Sequence, residues 1–314
     1  MRRDRLKSAL LFACGRMPGG AALYRELTRS VMGTQQTHVD KLSRVWPGYV
    51  EVWRSRCGLD LEGLEVWIHE GGWTPYPFLI DYLLTGKGGV VTNSNGQLLD
   101  RYLAHAIDGA LTTVLPSASV PPTRRTFLET LRGTSRAAEA IAAVGGSAYI
   151  GISPDKIPLL ANSIDLCHSG GALEHYRPEM LSAFLRECCR VLRPGGVASH
   201  VFDHRDHLHH ADNRRPFLEH LTISEARYAA FYGHALLYHN RLLPEQIMPI
   251  FEEAGFEPVA VRRMIYPDRR YVEGEEALEG RPGIERPRLK PRFQSASEAD
   301  LRTAAVHYLY RKPW

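Results

Sequence analysis

The chain has 314 residues, 44% of them hydrophobic and 24% charged, an ordinary balance for a globular protein with one core and additions. Its 39 lysines and arginines against 35 aspartates and glutamates leave a net charge of +4, and no basic stripe is interleaved with aromatics, so nucleic acid is not an expected partner. The apolar run Ala9–Cys14 is too short for a membrane span, and five cysteines without metal-ligand spacing read as reduced core thiols of a cytoplasmic protein.

Residues 1–60 carry no strand signal and read as a helical extension or cap preceding a domain over 61–314. Leu6, Leu10, Leu11 and Cys14 suit one short helix, Ala21 to about Met32 a second, and Val39–Cys57 a third with a break near Pro47. Leu64–His69 is the first strand and runs into Glu70–Gly71–Gly72, where glycines permit a sharp turn and close backbone approach. A helix over Phe78–Leu84 ends at Gly86, and Val90–Thr92 is the second strand. It ends in Asn93–Ser94–Asn95–Gly96, a tight-turn sequence. Leu98–Leu115 and Thr126–Ala143 read as helical, and Tyr149–Ile152 as the third strand, with Ser153–Pro154–Asp155 at its end.

The segment from 157 to 196 organises the rest. Ile164–Cys167 is a short apolar run between Asn162–Ser163 and Ser169–Gly170–Gly171, the pattern of a strand buried on both faces. Met180, Leu181, Phe184, Leu185, Cys188, Val191 and Leu192 then recur at helical spacing, and Pro194–Gly195–Gly196 stops that helix. With the apolar run Val197–Phe202 this makes a βαβ crossover, so the sheet is parallel and covered by helices.

Asp203 to Asp212 holds four histidines and three aspartates. It lacks a helical HExxH pattern, so a solvated loop is the better reading and no metal is expected. Residues 205–243 or so are a helical insertion, in which Tyr228, Phe231, Tyr232 and Tyr238 form core packing or a cavity wall. Arg241 suits a carboxylate or an ordinary ion pair. Pro244–Gly255 is a helix, Phe256–Tyr266 a strand, 267–300 an exposed excursion, and Ala304–Tyr310 a last antiparallel strand.

IPLLANSIDLCHSGGALEHY followed by LRECCRVLRPGG resembles the class I S-adenosylmethionine-dependent methyltransferases, in particular their type 11 group. The resemblance implies an α/β fold: a Rossmann-like, seven-stranded, mostly parallel sheet with helices on both faces. It implies S-adenosylmethionine as cofactor, with S-adenosylhomocysteine or methylthioadenosine as product, and a small-molecule substrate. On it, Glu70, Gly71 and Gly72 stand where the family keeps its glycine-rich loop, with Trp73 at a position usually held by glycine or a polar residue. Asn93 and Ser94 stand where a ribose-binding carboxylate is usual, and Ser153 or Asp155 where the adenine amine is bound. Ser169 belongs to the loop after the fourth strand, beside the Leu173–Glu174–His175–Tyr176 block.

Ligands bind at the carboxyl ends of parallel strands, so Asp203, His204 and His207 are expected to rim the substrate cavity, where a histidine takes a proton near neutral pH. Tyr176 is a candidate to face the sulfonium and His175 a candidate base. Three readings follow: methyl transfer to a small metabolite, cyclisation of the cofactor by attack of its amine on Cγ to give azetidine-2-carboxylate, and a binding protein that retains only the fold. Oligomeric state is not legible.

Overall fold

The computed structural model describes residues 13–20, 23–24, 34–72, 74–94, 100–113, 120–211, 213–233, 238–266, 270–273 and 282–314. Most of the two helices expected before residue 33, and Trp73, lie outside them. In chain order the main elements are α1 (Thr34–Ser55), β1 (Val66–His69), α2 (Tyr76–Thr85), β2 (Val90–Asn93), α3 (Leu103–Thr112), α4 (Pro122–Thr130), α5 (Ala137–Ala143) and β3 (Ser147–Ile150). They continue with β4 (Ile164–Gly170), α6 (Pro178–Val191), β5 (Leu192–Asp203), α7 (His207–Ala211), α8 (Glu225–Tyr232), α9 (Pro244–Glu253), β6 (Glu257–Ile265), β7 (Arg270–Val272), α10 (Glu298–Arg302) and β8 (Thr303–Arg311).

The strands form one sheet in the order β3-β2-β1-β4-β5-β8-β6-β7. β1 to β5 pair in parallel, and β8 enters antiparallel between β5 and β6. The expected last antiparallel strand is therefore present, but the sheet has eight strands rather than seven. The addition is β7, a short antiparallel edge strand on β6, and three residues next to a polar excursion give almost no period to read.

Side-chain alternation splits the core in two. Val66 and Ile68 of β1, Leu166 of β4 and Leu309 of β8 join α1, α2 and α3 on one face. Trp67, Cys167, Ala198, Phe202, Tyr308 and Tyr310 join α6 and α9 on the other. On α6, Leu181, Phe184, Leu185, Cys188 and Val191 are all buried, as their spacing predicts.

Two expectations need correction. Pro47 does not break α1, which runs through it with Trp46, Val50 and Trp53 essentially inaccessible. An interior proline costs about 3 kcal/mol, whereas each buried large side chain returns about 1.5–3 kcal/mol, so tertiary burial decides. Nor is all of 267–300 an exposed excursion. Ile284, Leu289, Phe293, Ala296 and Leu301 pack with Phe217, Leu218 and Leu221 into a separate apolar cluster. Gly283 permits this, because a Cβ there would meet Leu218 and Phe217 at 2.6 Å. Arg241 is an internal brace at 2% exposure, paired with Glu225 and lying 3.8 Å over the Tyr228 ring. Among the described helices, none is long and apolar enough to cross a membrane.

Candidate active site

The sheet changes direction between β1 and β4, since β2 and β3 follow on one side of β1 and β5 on the far side of β4. Crevices at the carboxyl ends of strands beside such a switch are where open α/β sheets bind ligands. A cavity of about 280 Å³ lies there, lined by His69, Glu70 and Gly71 after β1, His168, Gly170 and Gly171 from β4, and Val201, Asp203 and Arg205 from β5. Lys41, Trp46 and Tyr49 of α1 roof it, and Tyr271 of β7 closes one side.

The roof is tied down by polar bonds. Trp53 Nε1 donates to Ser199 Oγ at 2.8 Å, and Ser199 Oγ is 2.8 Å from His307 Nε2. Because an indole N–H only donates, the serine proton goes to His307. Tyr49 packs against His168 with ring centroids 4.5 Å apart. The N-terminal extension thus supplies cavity wall.

Glu70 carries strain at the turn after β1. Its φ is +55°, a conformation that non-glycine residues reach at a cost and that clusters at functional sites. Its Oε1 accepts from the Ser94 N–H at 2.9 Å and from the Tyr176 hydroxyl at 3.3 Å. Gly71 fits only as glycine, because a Cβ would sit 2.8 Å from Val91 Cγ1. Asn93 donates its side-chain amide to the Gly72 carbonyl at 2.9 Å. Glu70, Gly71, Gly72, Asn93, Ser94 and Tyr176 are therefore brought together by direct contacts around the β1 turn.

On β5 the alternation of side chains separates neighbours. Asp203 lines the cavity, and Arg205 holds it through two bonds of 2.8 and 2.7 Å, with His210 Nε2 at 3.1 Å. Burial raises its carboxyl, but Arg205 and His210 outweigh burial and hold it well below the usual carboxylate range. His204 does not rim the cavity as expected. It faces the other side, 4% exposed, with Nδ1 donating to the Leu242 carbonyl at 3.2 Å. Burial pushes its pKa down to about 3.

Ser169 is likewise turned away. It is fully buried and hydrogen-bonded to His200 Nδ1 at 2.8 Å, one residue out of step with the lining His168 and Gly170. His207 does not line the cavity but packs beside His175, with ring centroids 4.8 Å apart. Tyr176 does not line it either, its hydroxyl being engaged by His69 and Glu70. Ser153 and Asp155 hydrogen-bond each other on the loop after β3, away from the cavity wall. The aromatics Tyr228 and Tyr232 stack on each other at 4.9 Å in a small cluster of their own and contribute no wall.

Sequence reasoning missed His168, Arg205, Lys41, Tyr49 and Tyr271. For His168 and Arg205 a signal existed, the period-two step from Gly170 and from Asp203. His168 is the most consequential. Its Nδ1 is 3.1 Å from the Ser199 carbonyl, which only accepts, so Nδ1 carries the proton and Nε2 keeps its lone pair. Burial lowers its pKa to about 4, so it is neutral at pH 7.

The donor set suits an adenosyl sulfonium ligand. Carboxylates at Glu70 and Asp203 complement a sulfonium and an ammonium, Arg205 and Lys41 complement a carboxylate, and the glycines at 71, 170 and 171 leave backbone open. At the end of β2, Asn93 stands where the resemblance leads to the expectation of a carboxylate.

Residues 126–199 match the methyltransferase domain family. No curated protein matches the sequence. Similar solved structures include an S-adenosylmethionine-dependent methyltransferase from Mesorhizobium loti, at 12% identity and TM-score 0.40, covering 83% of this chain and 97% of that one. The [4+2]-cyclase SpnF is similar at 14% identity and TM-score 0.43, covering 85% and 80%. Phosphoethanolamine N-methyltransferase 2 of Haemonchus contortus, in complex with S-adenosyl-L-methionine, is similar at 14% identity and TM-score 0.46, covering 92% of this chain and 60% of that one. The family match over residues 126–199 spans β3, β4, α6 and the first part of β5, the same strand–loop–helix block, ending in RPGG, that resembles the class I S-adenosylmethionine-dependent methyltransferases.

Proposed function

We propose that the protein transfers a methyl group from S-adenosylmethionine to a small molecule. One observation carries this reading: a roofed cavity at the switch point where Glu70 and Asp203 converge from different strands beside the neutral imidazole of His168. When bound, S-adenosylmethionine supplies an electrophilic methyl on a sulfonium centre. The chain's own groups do the rest. Glu70 offsets positive charge next to the glycine turn, and Arg205 keeps Asp203 ionised and fixed in orientation. Trp46, Tyr49 and Tyr271 exclude water, and alignment in a dry cavity of this kind contributes about 7–11 kcal/mol to such a displacement. His168 Nε2 accepts the proton of an incoming hydroxyl or ammonium.

A second reading has one observation in its favour. Asn93 spends its amide on Gly72 where a ribose carboxylate is customary, which suits an altered ligand pose. In that reading S-adenosylmethionine is the sole substrate: its amine attacks Cγ, the C–S bond breaks, the sulfur keeps the electron pair, and methylthioadenosine leaves. Incubating the purified protein with S-adenosylmethionine and identifying the nucleoside separates the two. S-adenosylhomocysteine formed only with an added acceptor supports methyl transfer, and methylthioadenosine without one supports cyclisation. No binding by calorimetry overturns both.

A further inference from the structure

Beside the cavity, Glu174, His175 and His207 form a cluster that the proposed methyl transfer does not use. One ligand atom from each lies within 4.8 Å of the others. Glu174 is 3% exposed and its Oε2 has no hydrogen-bond partner, an arrangement that is costly for a buried carboxyl oxygen. Its other oxygen, Oε1, approaches Gly171, which lines the cavity, to within 3.4 Å of where a Cβ would stand.

His175 is prepared as a ligand. His175 Nδ1 is 2.9 Å from the Tyr238 carbonyl, so Nδ1 is protonated and Nε2 bears the lone pair. A hydrogen bond from the remote ring nitrogen to a carbonyl is how ligating histidines are usually oriented. His207 touches His175, His210 and His239 through its ring, at centroid distances of 4.8, 5.9 and 5.4 Å. His175 is exposed, which leaves an access route from solvent.

We propose that Glu174, His175 and His207 bind a divalent first-row transition metal, with zinc the best fit and a fourth position left open. Two imidazoles and one carboxylate select such an ion over magnesium or calcium, which take all-oxygen sites. Metal–ligand bonds of about 2.0–2.2 Å set tetrahedral ligand atoms roughly 3.3–3.6 Å apart, so binding draws the three side chains together by an ångström or so. The exposed His175 ring supplies that movement. The open position takes water or an oxygen or nitrogen donor. A second triad, Cys167, Cys188 and His200, also holds its ligand atoms within 4.8 Å of one another, but all three are fully buried, whereas His175 reaches solvent.

The test is zinc binding by the full-length protein after chelation and dialysis, followed by calorimetry and by the absorption of a cobalt(II) substitute. It needs neither cofactor nor acceptor, so its outcome is separate from that of the transfer assay. Wild-type protein is expected to take up one equivalent, with affinity falling at least about ten-fold in Glu174→Gln and in His175→Gln. His175→Gln alters an exposed side chain and so remains informative if Glu174→Gln misfolds. Cys188→Ser is expected to bind as wild type does. Absence of stoichiometric binding, binding unchanged in both ligand variants, or binding lost only in Cys188→Ser overturns the site.

Discussion

Tyr176 Oη lies 2.5 Å from His69 Nε2, and this contact joins the LEH loop to the turn after β1. The direction of each proton in the surrounding network follows from chemistry. Trp67 Nε1 only donates, and it reaches Thr92 Oγ1 at 2.8 Å; Thr92 Oγ1 lies 2.8 Å from His69 Nδ1. If the threonine proton goes to Nδ1, His69 Nε2–H donates to Tyr176, and Tyr176 donates to Glu70 Oε1 at 3.3 Å. Burial lowers the His69 pKa to about 3, so one neutral tautomer persists. The network runs from the sheet interior to the strained glutamate beside the cavity.

Tyr176→Phe removes the link and leaves the buried His69 N–H without an acceptor. An orphaned donor of this kind costs about 1–3 kcal/mol. Urea denaturation is expected to show that loss with an unchanged m-value, and a variant as stable as wild type would rule out the network as a source of stability.

Glu70→Gln keeps the size of the side chain and one acceptor oxygen but removes the charge. Hydrogen bonds to charged groups contribute about 1.5–3 kcal/mol, so affinity for S-adenosylmethionine should fall by roughly ten-fold or more. Calorimetric titration checks this, and equal affinities would remove Glu70 from the cofactor site.

His168→Gln tests the lone pair on Nε2. A positioned base contributes about 10²–10⁴-fold, so turnover of a hydroxyl or ammonium acceptor is expected to drop by that much while affinity for S-adenosylmethionine holds. Loss of both together would make His168 a wall residue only.

Ser199→Ala strands Trp53 Nε1 and His307 Nε2 beneath the roof helix. Each orphan costs about 1–3 kcal/mol, and limited proteolysis should cut α1 before the sheet unfolds. Unaltered protection of residues 34–55 would show that packing alone holds the roof.

Acid should destabilise the fold from just below neutrality. Burial lowers the pKa of His69 to about 3, His168 to about 4, His204 to about 3 and His239 to about 4, and His175, His200, His207, His209, His220 and His307 also shift down. The unfolded chain binds these protons below about 6.5 and the native state does not, so their stabilisation is present above that pH and is lost as pH falls through it. Each contributes a slope of about 1.4 kcal/mol per pH unit. Asp206 and Asp300, both raised by burial to about 6, oppose this, as do Asp81 and Glu174, because their protonated forms favour the native state. Ten histidines against these four carboxyls leave net loss toward acid. Melting temperatures between pH 7.5 and 5 check the sign, and a rise on acidification would contradict it.

The sequence alone determined the parallel sheet, the α6 stripe, the inserted antiparallel strand and the glycine turn after β1, because each is written in local period or turn chemistry. Residues 157–196 also carried the resemblance to the methyltransferases. Tertiary structure decided which neighbours face the ligand. Asp203 and His204 differ by one step on β5, as do His168 and Ser169 on β4, and only the pairing of strands says which step points into the cavity. The contribution of α1 was equally illegible: Pro47 marks a break locally, and only burial of Trp46 and Trp53 against the sheet, a contact between distant parts of the chain, carries the helix across the site.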